Sequence, residues 1–171
     1  VVVKEFFPAG AAQRDQNLTV VPFGGEVGQQ TFDADKQRYL REAQGLARYK
    51  HDAIVRVYRA FEANGTVYGI YEHLDGIDMA TWLARLPAPP DQVRLDRIAT
   101  NILSGLELLH ADNLLHRDIR PGNIVIRHRD ETPVLVNFGA AKREAVEISG
   151  VFAASNPYAA AEIYADSSMH G

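Results

Sequence analysis

Leu115-His116-Arg117-Asp118-Ile119-Arg120-Pro121-Gly122-Asn123-Ile124 is the stretch on which the reading of this chain turns. It is a polar loop held between two short apolar runs, Leu114-Leu115 before it and Ile124 to Ile126 within and after it. Asp118 and Asn123 are spaced to set a carboxylate and an amide oxygen at one strand edge. A carboxylate there can accept the proton of a hydroxyl nucleophile. An amide oxygen nearby can ligate a hard cation such as Mg²⁺. Arg120 adds fixed positive charge where phosphate charge would develop. Any one of these residues alone reads as a turn cap or a surface ion pair, and only the whole string carries the chemistry.

Outward from this loop, the clearest element is a helix expected over Asp96 to Ala111, with Ile98, Ile102, Leu103, Leu106 and Leu109 as its buried stripe. A shorter helix is expected over Asp78 to Leu86, stopped by Pro87, Pro89 and Pro90. Ile54 to Phe61 and Val67 to Tyr71 read as strands joined at Asn64-Gly65, a strong hairpin signal. Helical spacing from about Asp35 to Tyr49 sets Tyr39, Glu42, Ala43 and Leu46 on one face, with Asp33 or Asp35 as a cap. Val1 to Phe7 reads as a strand. Residues 8–34 read as a long loop with room for a small hairpin. Past Gly139 the pattern weakens into a loop that reaches Glu162.

Composition narrows the function classes. The 171 residues are enough for one ordinary domain, and 46% hydrophobic with 23% charged residues is normal for a globular protein. The formal net charge of -4 provides no basic field for nucleic acid, so no nucleic-acid partner is expected. The chain contains no cysteine, which removes disulfides and thiolate metal sites and suits a reducing cytoplasm. No apolar run approaches the ~20 residues that cross a bilayer, so no membrane segment is expected within the chain. A chain that opens on Val1-Val2-Val3-Lys4 without methionine is expected to belong to a longer parent.

The string from His116 to Asn123 resembles the catalytic loop of protein kinases, His-Arg-Asp followed by Asn five residues later. Other landmarks of that family stand in the same chain order. Val2-Val3-Lys4 resembles the strand whose lysine pairs with the α- and β-phosphates of ATP, and Glu42 resembles the helix glutamate that holds it. Tyr71-Glu72-His73-Leu74 resembles the hinge. There the backbone of Glu72 and Leu74 would bond adenine, Tyr71 would be the gatekeeper and Val125 would floor the pocket. Asn137-Phe138-Gly139 stands where kinases carry Asp-Phe-Gly, and Ala160-Ala161-Glu162 where they carry Ala-Pro-Glu. Ser155 and Tyr158 resemble the substrate-docking loop before it. The opening Lys-Glu-Phe-Phe-Pro-Ala-Gly and the long insertion look most like bacterial serine/threonine kinases.

The resemblance implies an α+β two-lobe fold. Residues 1–71 would be a partial N-lobe with a small antiparallel sheet and one helix, 72–77 a hinge, and 78–171 a partial, mostly helical C-lobe. It also implies ATP and Mg²⁺ as cofactors, with nucleotide near residues 71–75, and a protein substrate or regulatory protein partner. Catalytic roles would fall to Asp118, Arg120, Lys4 and Glu42, and metal contacts to Asn123 and Asn137.

Three residues depart from the pattern. Asn137 replaces the aspartate that makes the main Mg²⁺ contact, keeping an oxygen but losing the charge. Arg120 stands where lysine is usual, with a different fork geometry. Ala161 replaces proline before Glu162. Two readings therefore stand side by side: a serine/threonine kinase impaired at Asn137, and a pseudokinase that holds nucleotide or acts as a scaffold. A small-molecule phosphotransferase of the aminoglycoside-kinase type is disfavoured by Arg117-Asp118 and Phe138-Gly139.

Overall fold

The structure, a computed structural model, describes residues 1–138 and the backbone of a short strand at Lys142–Arg143. The readings placed on Gly139, Ser155, Tyr158 and Ala160-Ala161-Glu162 lie outside the described residues. The chain forms two compact units, one of residues 1–51 and 55–73, the other of 52–54 and 74 onward.

The first unit is built on an antiparallel sheet. β1 (Val2–Glu5) lies beside β5 (Thr66–Tyr71), and β5 beside β4 (Val57–Ala63). Asn64 and Gly65 join β4 to β5 with φ of 50° and 74°, the left-handed pair that a tight two-residue hairpin turn demands. A second hairpin, β2 (Ala12–Arg14) and β3 (Val20–Pro22), occupies the expected loop region. Its turn is organised by the Asp15 carboxylate, which accepts from the backbone N–H of Asn17 at 2.9 Å and of Thr19 at 2.8 Å. Ala12, Val20 and Phe32 form a small buried cluster, with the Phe6 ring packed on it.

The long helix of this unit begins about ten residues before its expected start. α1 runs Gly25–Leu46, with Gly24 as its left-handed N-cap. Asp33 and Asp35 are therefore interior residues and not caps. Asp33 accepts from Gln29 at 2.9 Å and pairs with Lys36, while Asp35 pairs with Arg38. Polar contacts between residues three and four apart stabilise an exposed helical turn without an apolar stripe. Phe32 is the buried residue of the early turns, so apolar spacing carries no signal there. Further along, Ala43 and Leu46 are buried, and Tyr39 and Glu42 are half-buried.

The second unit holds the antiparallel sheet β6 (Gly76–Asp78), β8 (Ile124–Arg127) and β9 (Pro133–Leu135), with β8 in the middle. α2 (Met79–Arg85) is capped by Asp78, whose carboxylate accepts from the Thr81 N–H at 2.9 Å. α3 (Gln92–His110) is capped in the same way by Asp91 and buries Ile98, Ile102, Leu106 and Leu109. Leu103, expected in this stripe, is 63% exposed. It lies one residue, about 100° of helical turn, beyond Ile102, and Gly105 takes the buried place between Ile102 and Leu106. Arg94 packs over the Trp82 ring at 4.5 Å and pairs with Glu131, which also meets Arg97 at 2.8 Å. That cluster ties α2, α3 and the turn between β8 and β9 together. β7 (Leu114–Leu115) pairs antiparallel with β10 (Lys142–Arg143). No helix among the described residues is long and apolar enough to cross a membrane.

Gly65 sits where the two hairpins meet. A Cβ there would lie 2.5 Å from the Val20 carbonyl oxygen, on a backbone that disfavours side chains. Gly45, near the end of α1, faces open space. Gly65→Ala should therefore lower stability by ~1–3 kcal/mol, and Gly45→Ala should raise it by up to ~1 kcal/mol. Urea unfolding of both variants checks the opposite signs.

Candidate functional site

In the second unit the functional loop is anchored by two buried polar side chains. His116 is 1% exposed and Asn123 is 2% exposed. The Nε2–H of His116 donates to the Val136 carbonyl at 3.0 Å, and its Nδ1 accepts from the Asp118 backbone N–H at 3.3 Å. A carbonyl can only accept and a backbone N–H can only donate, so these partners select the neutral Nε2–H tautomer. Burial agrees with that choice and pushes the imidazole below its ordinary range. The ring also packs on Phe138 with centroids 4.5 Å apart.

Pro121 opens a short 3₁₀ turn, Pro121–Asn123, suited to its fixed φ. The turn brings Asn123 back under Asp118. Asn123 Nδ2 donates to the Asp118 carbonyl at 2.9 Å and to its Oδ2 at 2.5 Å. Because both acceptors are oxygens, the Asn123 amide can face only one way, with Oδ1 on the other side. There Oδ1 accepts from Asn137 Nδ2 at 2.9 Å. A chain of side-chain hydrogen bonds thus runs from Asn137 through Asn123 to Asp118. Arg120 Nε lies 3.2 Å from Asp118 Oδ1, so its charge rests on the Asp118 carboxylate. Arg117 and Asn137 adopt φ of 63° and 62°, a region that asparagine tolerates and arginine rarely enters. Such strain clusters at functional sites. Val125 is half-buried in β8, and Leu74 is half-buried just before β6.

The first unit holds the other named residues. Lys4 lies opposite Gly69 in the β1–β5 ladder, and its Nζ stands 5.2 Å from the centre of the Tyr71 ring. Burial lowers the Lys4 pKa from its ordinary value. Glu42 Oε1 is 4.0 Å from Arg38 Nε on α1; burial raises the pKa of Tyr39 and Tyr71, and the Glu42 charge adds to it. The Glu72 backbone N–H donates to Arg56 O, and its carboxylate accepts from the Arg56 N–H at 2.8 Å, which secures the end of β5 to the start of β4. Sequence reasoning assigned no role to His116 or Tyr39. The buried ring in the one case, and the spacing of three residues from Glu42 in the other, are the signals that carry them.

His116 predicts an acid sensitivity. Its folded pKa lies below the ordinary value, so between those two values the unfolded chain binds the extra proton. Stability is full above pH ~6.5 and falls as pH drops through the folded value. Thermal unfolding at pH 5.5 and 7.5 should show a drop in Tm at the acid pH that shrinks in His116→Gln. That variant should itself be less stable at pH 7.5 by ~1–3 kcal/mol.

With this geometry in place, comparison with known proteins is informative. The protein kinase domain family matches residues 26–171. A serine/threonine-protein kinase PknA from Nostoc is 34% identical over 116 residues, covering 66% of this chain and 20% of the relative. Serine/threonine-protein kinase D from Synechocystis is 29% identical over 143 residues, covering 83% and 25%. Among solved structures, PpkA-294 in its apo form superposes with a TM-score of 0.69 at 32% identity, covering 80% of this chain and 48% of that one. The PknI kinase domain of Mycobacterium tuberculosis superposes at 0.55 with 32% identity, covering 64% and 45%. The chain spans about a fifth to a quarter of these curated relatives and about half of the solved chains. The small antiparallel sheet with its helix and the partial helical region agree with these matches, and the chain belongs to the protein kinase family, with bacterial serine/threonine kinases among its relatives.

Proposed function

We propose that this chain carries a serine/threonine kinase-like domain that transfers the ATP γ-phosphoryl group to a protein hydroxyl, with turnover held low by Asn137. The observation that supports it is the Asp118–Asn123 pair, brought together by the 3₁₀ turn and fixed at 2.5 Å. In this reading the substrate hydroxyl oxygen attacks the γ-phosphorus and its proton passes to the Asp118 carboxylate. The bond from the γ-phosphorus to the β-bridging oxygen breaks, and ADP leaves. Lys4 takes the α- and β-phosphates, with Glu42 as its partner. The backbone of Glu72 and Leu74 holds adenine, Tyr71 is the gatekeeper and Val125 the floor. Residues 72–77 form the hinge between an N-lobe at 1–71 and a C-lobe at 78–171. The reading sets the domain in the cytoplasm, on a protein substrate and away from nucleic acid.

Mg²⁺, used throughout the family, supplies charge neutralisation on the phosphates. The proposed donors fit it poorly. Mg²⁺ prefers carboxylate and phosphate oxygens in near-ideal octahedral geometry. Here residues 123 and 137 both offer amides, and the Asn123 oxygen already accepts from Asn137. That observation favours the second reading, a pseudokinase that holds nucleotide or a regulatory protein partner without turnover.

An aspartate at 137 would place a second acceptor against Asn123 Oδ1, an arrangement that a cation between them relieves. Asn137→Asp is nearly isosteric. In the full-length protein it should raise phosphate transfer from labelled ATP to a generic protein substrate by at least ~10²-fold at saturating Mg²⁺. Equal and negligible rates for both proteins would reject the impaired-kinase reading in favour of the scaffold.

A further inference from the structure

Tyr71 is packed in a way that the gatekeeper role does not require. Its ring folds back over Gly69, two residues earlier on β5. A Cβ on Gly69 would lie 2.5 Å from the ring Cε2 and 2.9 Å from the hydroxyl, so the ring occupies space that only glycine leaves open. Gly69 is the ladder partner of Lys4, and the Lys4 ammonium stands over that same ring. The far end of the ring reaches α1, where the Tyr71 and Tyr39 hydroxyls share a hydrogen bond. Glu42, the proposed partner of Lys4, lies three residues after Tyr39 and is felt by both phenols. Burial and that nearby carboxylate keep both phenols protonated, so one donates and the other accepts.

We propose that the Tyr39–Tyr71 hydroxyl pair is a positioning element for Lys4. It ties the end of β5 to α1 and holds an aromatic face against the Lys4 ammonium, which is thereby presented to a phosphate chain. Lys4 is a four-carbon chain with free rotors, and a cation attracted to a ring face at about this distance is confined to a smaller volume. The ring is in turn confined on one side by the Gly69 backbone and at its tip by Tyr39. Tyr71 meets Lys4 through its ring and Tyr39 meets Tyr71 through its hydroxyl, so in this proposal both act through Lys4.

This inference rests on the nucleotide reading of Lys4, and its test separates the two. ATP affinity is measured by calorimetry in the full-length protein for wild type, Tyr39→Phe, Tyr71→Phe and the double variant, each also in a Lys4→Met background. Each single phenylalanine should weaken ATP binding by roughly 3–10-fold, and the double variant by no more than either alone, because one hydrogen bond is removed in all three. In the Lys4→Met background the same changes should have no further effect. Gly69→Ala, which displaces the ring while keeping both hydroxyls, should reproduce the loss. Unchanged affinity in the single variants, or an equal loss when Lys4 is already methionine, overturns the positioning role. Wild-type protein that binds no ATP overturns instead the nucleotide reading on which the proposal stands.

Discussion

A buried polar group must find a hydrogen-bond partner, and among the described residues of the second unit that constraint falls on His116 and Asn123. Each is nearly inaccessible, and each satisfies its side chain with more than one bond. His116 joins the start of the loop to Val136, just past β9, and Asn123 bonds back to Asp118, with its own carbonyl accepting from Val136 N. The loop between them has little freedom left. Two half-satisfied buried groups would cost several kcal/mol, so the loop geometry and the folding of this unit are one problem. The Asp118 carboxylate is placed as a by-product of that requirement.

The kinase character was legible from sequence because the whole string from His116 to Asn123 stands together, whereas any one of its residues alone reads as an ordinary turn. The hairpin at Asn64-Gly65 was legible because its left-handed backbone admits few residue types. The start of α1 was hidden because its early turns are held by polar contacts such as Gln29 with Asp33, to which apolar periodicity is blind. Leu103 was misplaced because it lies one residue beyond Ile102, off the face that Ile98, Ile102, Leu106 and Leu109 bury. Tyr39 was legible as part of one helical face but its pairing with Tyr71 was not, because a pairing between distant strand and helix is encoded in no local pattern.

Asn137 gives the site its particular character. In the chain from Asn137 to Asp118 the Asn123 amide is bonded on both sides, donating to Asp118 and accepting from Asn137. An amide N–H here faces an oxygen that a cation would otherwise ligate. In the proposed reading a divalent ion gains little here, because binding would have to break the Asn137–Asn123 hydrogen bond as well as dehydrate Mg²⁺. Lys4 and the aromatic face against it belong to the other unit and do not depend on that network.

Calorimetric titration of ATP into the full-length protein, once with saturating Mg²⁺ and once with EDTA, tests this account most directly. The account predicts dissociation constants that agree within about threefold, because the lysine site carries the affinity and the amide network has no call for the ion. A loss of tenfold or more in EDTA would contradict it and would mean that Asn123 and Asn137 open to hold the metal.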